Sequence, residues 1–177
     1  MNTLTLHGVF IELFGLGVLL TGPSGVGKSE LALELLARGH HLIADDAADF
    51  ARDDGNVIGR CPPLLRGFLE ARSLGILNVH KMFGEACLIE QHPLDLVIRL
   101  EVRSEVIHQA HERLEGRRSS CNILEMNFPE ISIPIRLGHN LAVLVEAACR
   151  DHHLRLGGYR ADEDFSARQL QAIRESH

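Results

Sequence analysis

The chain of 177 residues has no basic surplus: 18 Lys and Arg face 24 Asp and Glu, for a formal net charge of −6. Broad electrostatic binding to nucleic acid needs such a surplus, so no nucleic-acid partner is expected. No apolar run approaches the ~18 residues of a membrane span. The opening MNTLTLHGVF has no basic stretch ahead of its apolar residues, so no secretory signal is read there, and a cytoplasmic location without a membrane partner is the expectation. Cysteine is sparse and scattered. Cys61, Cys87, Cys121 and Cys149 form no Cys-x-x-Cys pair, which points to reduced, part-buried thiols rather than a zinc site or a disulfide frame. Lysine is scarcer still, with only Lys28 and Lys81. There is no internal repeat and no low-complexity linker, and the length, with 45% apolar and 24% charged residues, is that of one globular domain.

The periodicity predicts α/β structure. HGVFIELFGLGVLLTG reads as two strands around a tight FGLG turn, because β-branched and aromatic residues flank glycines that tolerate positive φ. From Ser29 the pattern becomes helical, with Leu31, Ala32, Leu35 and Leu36 on one side and Gly39 as the stop. HHLIADD is a short strand ending in two carboxylates. LGILNV, LDLVIRLEV and ISIPIRL are further strands, the last placed at an edge or bulge by Pro134. A helix is expected from Ser104 to Gly116, carrying His108 and His111 on one face, too few for a metal site. Asn140 caps another helix, with Leu141, Leu144, Val145 and Ala148 sharing a face, and FSARQLQAIRE forms a last one. The hairpins imply a mixed sheet.

Between the second strand and the first helix stand Gly22, Pro23, Ser24, Gly25, Val26, Gly27, Lys28 and Ser29, which satisfy G-x-x-x-x-G-K-[ST]. The glycines let backbone N–H groups converge on phosphate oxygens, and the helix adds its positive dipole end. Lys28 is placed to reach β/γ-phosphates and Ser29 to ligate Mg²⁺. Since lysine is no routine surface choice in this chain, nucleotide phosphate binding outweighs a simple glycine turn. Phosphoryl transfer then needs carboxylates. Asp45 and Asp46 would arrive at a strand end beside the loop, pointing to opposite faces. No Asn-Lys-x-Asp, Asp-x-x-Gly or Leu-Ser-Gly-Gly-Gln occurs, which sets aside GTPases and transporter ATPases. A small-metabolite kinase, with Arg117 and Arg118 as a phosphate-sensing lid, a protein kinase and an inactive nucleotide-binding regulatory module stay open on the residues alone.

Four segments narrow the choice: HGVFIELFGLGVLLTGPSGVGKSELALELLARGHHLIADD, LEARSLGILNV, HERLEG and IPIRLGHNLAVLVEAA. In order and approximate spacing, the chain from His7 to about Ala148 resembles the catalytic domain of bacterial HPr kinase/phosphorylase. The resemblance implies a phosphoenolpyruvate-carboxykinase-like P-loop fold, a homohexamer, and ATP- and Mg²⁺-dependent phosphorylation of a seryl residue of the carrier protein HPr. It also implies reversal by inorganic phosphate, with pyrophosphate as a further small partner. Lys28 and Ser29 would serve ATP and Mg²⁺, Glu70 would be a further metal ligand, and Asp46 would exchange the serine proton, with Asp45 in support. His7 and Arg113 match the remaining catalytic positions. The signature segment would comprise Leu69, Glu70, Arg72, Gly75 and Asn78. The dephosphorylation segment would comprise Pro134, Ile135, Arg136, Leu137, Gly138 and His139. The chain departs from the family pattern at Pro23, Ala71 and Ser73, and at Leu137 and His139, where proline and arginine are usual. Histidine replaces a permanent cation only when protonated. The family's usual N-terminal domain has no counterpart, so residues 1–177 are expected to form a single catalytic domain.

Overall fold

The computed structural model describes residues 2–102, 116–136 and 138–176. The expected helix over 104–116, with His108 and His111, therefore falls almost wholly outside the described residues, as do Arg113 and Leu137.

A six-stranded mixed sheet carries the fold, in the order β11-β12-β10-β3-β2-β4. Its strands are β2 (Val9–Leu13), β3 (Leu16–Thr21), β4 (His41–Ala44), β10 (Leu96–Val102), β11 (Arg117–Ile123) and β12 (Met126–Ile135). Strand β10 runs parallel to both β3 and β12, while β2 is antiparallel to β3 and to β4. Four strands, β3, β4, β10 and β12, therefore end at one edge of the sheet. A second, antiparallel sheet of order β1-β5-β6-β9 contains β1 (Thr3–His7), β5 (Ala47–Asp53), β6 (Asn56–Arg60) and β9 (Gln91–Pro93). Strands β7 (Phe68–Ala71) and β8 (Gly75–Asn78) form a separate hairpin.

The two-residue period of a strand explains why the central strands read as unbroken apolar runs. Val9, Ile11 and Leu13 of β2, Val18 and Leu20 of β3, and Ile98 and Leu100 of β10 enter one core with the helices. Their neighbours Phe10, Leu19 and Val97 face the other way, into a second core with Phe50 and Val57 of the antiparallel sheet. Both faces are covered, so alternation of polar residues is lost. Phe10 and Phe50 meet edge to face, with ring centroids 5.1 Å apart.

Among the described residues the α-helices are α1 (Lys28–Ala37), the short α2 (Val79–Phe83), α3 (Leu141–Leu156) and α4 (Ala161–Glu175). Leu31, Ala32, Leu35 and Leu36 are the buried residues of α1, as the periodicity predicts, and Gly39 ends it with φ +96°. The backbone N–H of Gly39 donates to Leu36 and that of His40 to Leu35, closing the last turn. Asn140 caps α3 by accepting from the Val143 N–H. The buried stripe of α3 is Ala142, Val145, Cys149 and His152, so the face expected from Leu141, Leu144, Val145 and Ala148 is rotated, with Leu144 39% exposed. Among the described residues no helix is long and apolar enough to cross a membrane.

The sequence places Pro134 at an edge or bulge, yet β12 is interior, between β10 and β11. The reason is local. Among the described residues, pairing of β11 with β12 runs from Arg117 opposite Ser132 and Pro134 faces Glu101 of β10, while Pro129 faces Ser120 of β11 before pairing with β10 begins. Among the described residues each proline has a strand partner on one side only, a setting in which a missing N–H is tolerated. Arg117 and Arg118 form no lid: they lie in β11 and pair with Glu101 and Asp151.

Candidate phosphate-binding and catalytic site

The shared strand edge concentrates the chemistry. Strand β3 runs into the glycine loop, β4 delivers Asp45 and Asp46, and β12 leads into Arg136–His139, two strands away from β3. Placement of ligands at the carboxyl ends of parallel strands is the general rule for such sheets.

The loop wraps a cavity of about 240 Å³ lined by Ser24, Gly25, Gly27, Lys28, Ser29, Asp45, Asp46, Glu70 and Arg72, with Val9 and Glu30. A Cβ on Gly22 would lie 2.8 Å from the Leu100 carbonyl oxygen, so the loop leaves β3 hard against β10. Gly27 stands at the N-cap of α1 with φ +98°. Lys28 Nζ donates to the carbonyl oxygens of Gly22 at 2.8 Å and Pro23 at 3.1 Å, which holds the ammonium across the loop. Among the described residues Lys28 has no carboxylate partner, so its charge is not cancelled locally.

Asp45 is the polar centre. Its carboxylate is 5% exposed and accepts from Ser29 Oγ at 2.8 Å and from the backbone N–H of Glu70 at 3.0 Å. Burial pushes its pKa up from the ordinary carboxylate value, while the hydrogen bonds from Glu70 and Ser29 pull the other way. Asp46 is exposed and adopts φ +68°. Both aspartates lie just past the end of β4, so the expected alternation along a strand is replaced by a left-handed turn that leaves one carboxylate buried and the other open. Asp46 also ties in the antiparallel sheet: its carbonyl oxygen accepts from the Gly8 N–H at 2.9 Å, and His7 pairs in register with Ala47. His7 is exposed at that corner.

The hairpin β7–β8 supplies the rest of the signature segment. Leu69 and Ala71 are buried and anchor it against the core of α1, which leaves Glu70 exposed beside the cavity. Gly75 opens β8, and Asn78 caps α2 by accepting from the Lys81 N–H. Pro134 and Ile135 close β12; beyond them Arg136, Gly138 and His139 are exposed, with the His139 N–H donating to the Arg136 carbonyl at 3.2 Å. The described residues of this segment share the edge, and none of them lines the cavity. Arg72, expected only as a member of the signature segment, has its guanidinium against the loop.

No group of three or more His, Cys, Asp or Glu side chains converges as a metal cage among the described residues. Ser29 Oγ, Asp45 and Glu70 offer hard oxygen donors instead, which fits Mg²⁺, an ion commonly held by one or two carboxylates together with substrate phosphates.

The chain resembles known proteins over most of its length. The family described as the HPr serine kinase C-terminal domain matches residues 1–169. An HPr kinase/phosphorylase of Neisseria meningitidis is 45% identical over 171 residues, covering 96% of this chain and 53% of the relative. One of Xanthomonas campestris pv. campestris is 47% identical over 171 residues, covering 96% and 54%. The chain thus spans about half the length of the curated relatives it matches. The solved HPr(Ser) kinase/phosphatase of Coxiella burnetii superposes with a TM-score of 0.83 at 35% identity, covering 92% of this chain and 98% of that one.

Proposed function

The chain belongs to the HPr serine kinase C-terminal domain family, and from that premise we propose that it transfers a phosphoryl group from ATP to a seryl hydroxyl of HPr. The observation that carries the proposal is the convergence of Lys28, Ser29, Asp45, Asp46 and Glu70 on one cavity at the loop.

Backbone N–H groups of the loop between Ser24 and Ser29, at the start of α1, hold the nucleotide phosphates, and Lys28 sets its charge against the β/γ end. Asp46, open to the cavity, takes the proton as the serine oxygen attacks and returns it in the reverse direction. His7, at the same corner, assists this exchange, and Arg113 is read as a further cation on the family's pattern. Ser29 and Glu70, with Asp45 behind them, would hold Mg²⁺, which would neutralise phosphate charge when bound. Asp45 orients Ser29 and fixes the hairpin through the Glu70 N–H. Residues 1–177 are read as one catalytic domain acting in a homohexamer. The reverse reaction with inorganic phosphate or pyrophosphate is assigned to Pro134–His139, where His139 provides a cation only in its protonated form.

The test is incubation with HPr and Mg-ATP, with intact-mass detection of one added phosphate. Lys28→Ala should abolish ATP use, and Asp46→Asn should stop transfer while sparing nucleotide binding. ATP binding without transfer to HPr, under conditions where an authentic family member labels it, would favour the metabolite kinase or the inactive nucleotide-binding module.

A further inference from the structure

Arg72 follows directly on β7, in the turn that joins it to β8. Its backbone N–H donates to Glu30 Oε1 in the first turn of α1 at 3.2 Å, and its Nη2 lies 3.4 Å from Ser24 Oγ. The guanidinium also occupies the space above Gly25. A Cβ there would lie 2.8 Å from Nη1 and 3.0 Å from Cζ. Gly25 has φ +83°, so this loop position requires glycine both for its backbone and for the arginine that covers it.

The charge of Arg72 is uncommitted. Arg38, Arg99, Arg118 and Arg155 each pair with a carboxylate, whereas among the described residues Arg72 has no such partner. Like Lys28, it lines the loop cavity as a permanent cation. Ser24 and Gly25 are the third and fourth of the eight loop residues, and Lys28 at the seventh serves the β/γ end of the nucleotide. A planar fork of N–H donors above Ser24 and Gly25 is suited to the same oxygens, because guanidinium and phosphate match in geometry as well as charge.

We infer that Arg72 is a phosphate-binding residue, an arginine finger supplied in cis by the β7–β8 hairpin, which clamps the terminal phosphates of the nucleotide against the loop. In the transfer, the bond between the γ-phosphorus and the β–γ bridging oxygen breaks, the bond to the serine oxygen forms, and the serine proton passes to Asp46. Arg72 offsets the charge that develops on the departing diphosphate and the moving phosphoryl group. Because Glu70 and Arg72 ride on one hairpin, the metal ligand and the cation reach the nucleotide together.

This inference rests on the nucleotide-binding reading of the site, and the experiment separates the two. ATP, ADP and AMP affinities and the rate of transfer to HPr are measured for the full chain and for R72Q and R72K, with unliganded melting as a control. The Arg72 contact to Glu30 is made by the main chain, so side-chain replacement leaves it in place. R72Q is expected to weaken ATP and ADP binding by about tenfold, leave AMP unchanged, and lower turnover by about 10²-fold or more. R72K should recover part of the binding but little of the turnover, since an ammonium is a point charge without the fork. Wild-type affinity and turnover in R72Q overturn the inference. So does wild-type turnover in R72K, which keeps a cation on a long stem and serves if R72Q fails to fold. Failure of the unsubstituted chain to bind ATP at all would instead remove the nucleotide-binding reading.

Discussion

Replacing Asp45 by alanine removes the acceptor that joins the loop helix to the β7–β8 hairpin. Two hydrogen bonds end on its carboxylate, from Ser29 Oγ and from the Glu70 N–H. Each bond to a charged acceptor contributes about 1.5–3 kcal/mol. Much of that is offset by the cost of holding a carboxylate that is 5% exposed, and the raised pKa of Asp45 shows the same opposition. What alanine adds is an unpaired, part-buried N–H at Glu70, worth about 1–3 kcal/mol. We therefore expect a net loss of about 2 kcal/mol, which lowers Tm by about 4–8 °C in a domain of this size. Asparagine behaves differently. Its Oδ1 can accept from the Glu70 N–H and its Nδ2 can donate to Ser29 Oγ without a charge being buried, so Asp45→Asn should stay within about 0.5 kcal/mol of the parent. Urea unfolding without metal or nucleotide measures both, with unchanged m-values as the check on two-state behaviour. If alanine and asparagine have equal effects, or if alanine is as stable as the parent, the tether through Asp45 is not what holds the hairpin to the loop.

A Cβ at Gly17 would lie 2.0 Å from the Pro93 carbonyl oxygen, so Gly17→Ala must push β9 off the central sheet; we expect a cost of about 3 kcal/mol or more and a visibly lower Tm. At Gly157, with φ −84° and its nearest neighbour 3.5 Å away, the same change should be neutral or stabilise by about 0.4–1 kcal/mol in thermal melts. The Glu146 carboxyl is held below the usual carboxylate range by the Arg38 guanidinium, assisted by His40. A depressed pKa contributes stability above the unfolded value and loses it as pH falls through the folded value. The Tm deficit of Glu146→Gln should thus be present at pH 7 and close below about pH 4. A gap that stays constant with pH would assign the deficit to packing instead.

What could be read in the sequence was what neighbouring residues decide. The β2–β3 hairpin, the glycine loop, the buried face of α1 and the Asn140 cap depend on contacts within a few residues, and all stand where their local signals put them. The second sheet went unread, although Asp54-Gly55 links β5 to β6 as a two-residue hairpin turn. Strand β1 carries no such mark: its partner β5 is more than forty residues away, and its burial pattern is mostly exposed. The proline in β12 pointed to an edge or bulge, whereas the strand lies inside the sheet and, among the described residues, is paired on one side only at that position. In the site, the loop motif pointed to Lys28 and Ser29, the strand end to Asp45 and Asp46, and the family resemblance added Glu70. The place of Arg72 over Gly25 arises from packing between segments more than forty residues apart, which neither spacing nor composition registers.

The glycine loop also has a place in time. On one side β3 is paired with β2, its partner across a two-residue turn, and α1 follows at once, so this half can form as soon as α1 has left the ribosome. On the other side β3 lies against β10, residues 96–102, whose Leu100 carbonyl crowds Gly22. Non-local parallel pairing is the slow kind, since a long chain segment must be ordered before the contact is rewarded. The phosphate loop is therefore drafted early and set late. Its final shape waits on a strand made more than seventy residues after it, and a chain cut short before β10 would carry the motif intact without the wall that shapes it.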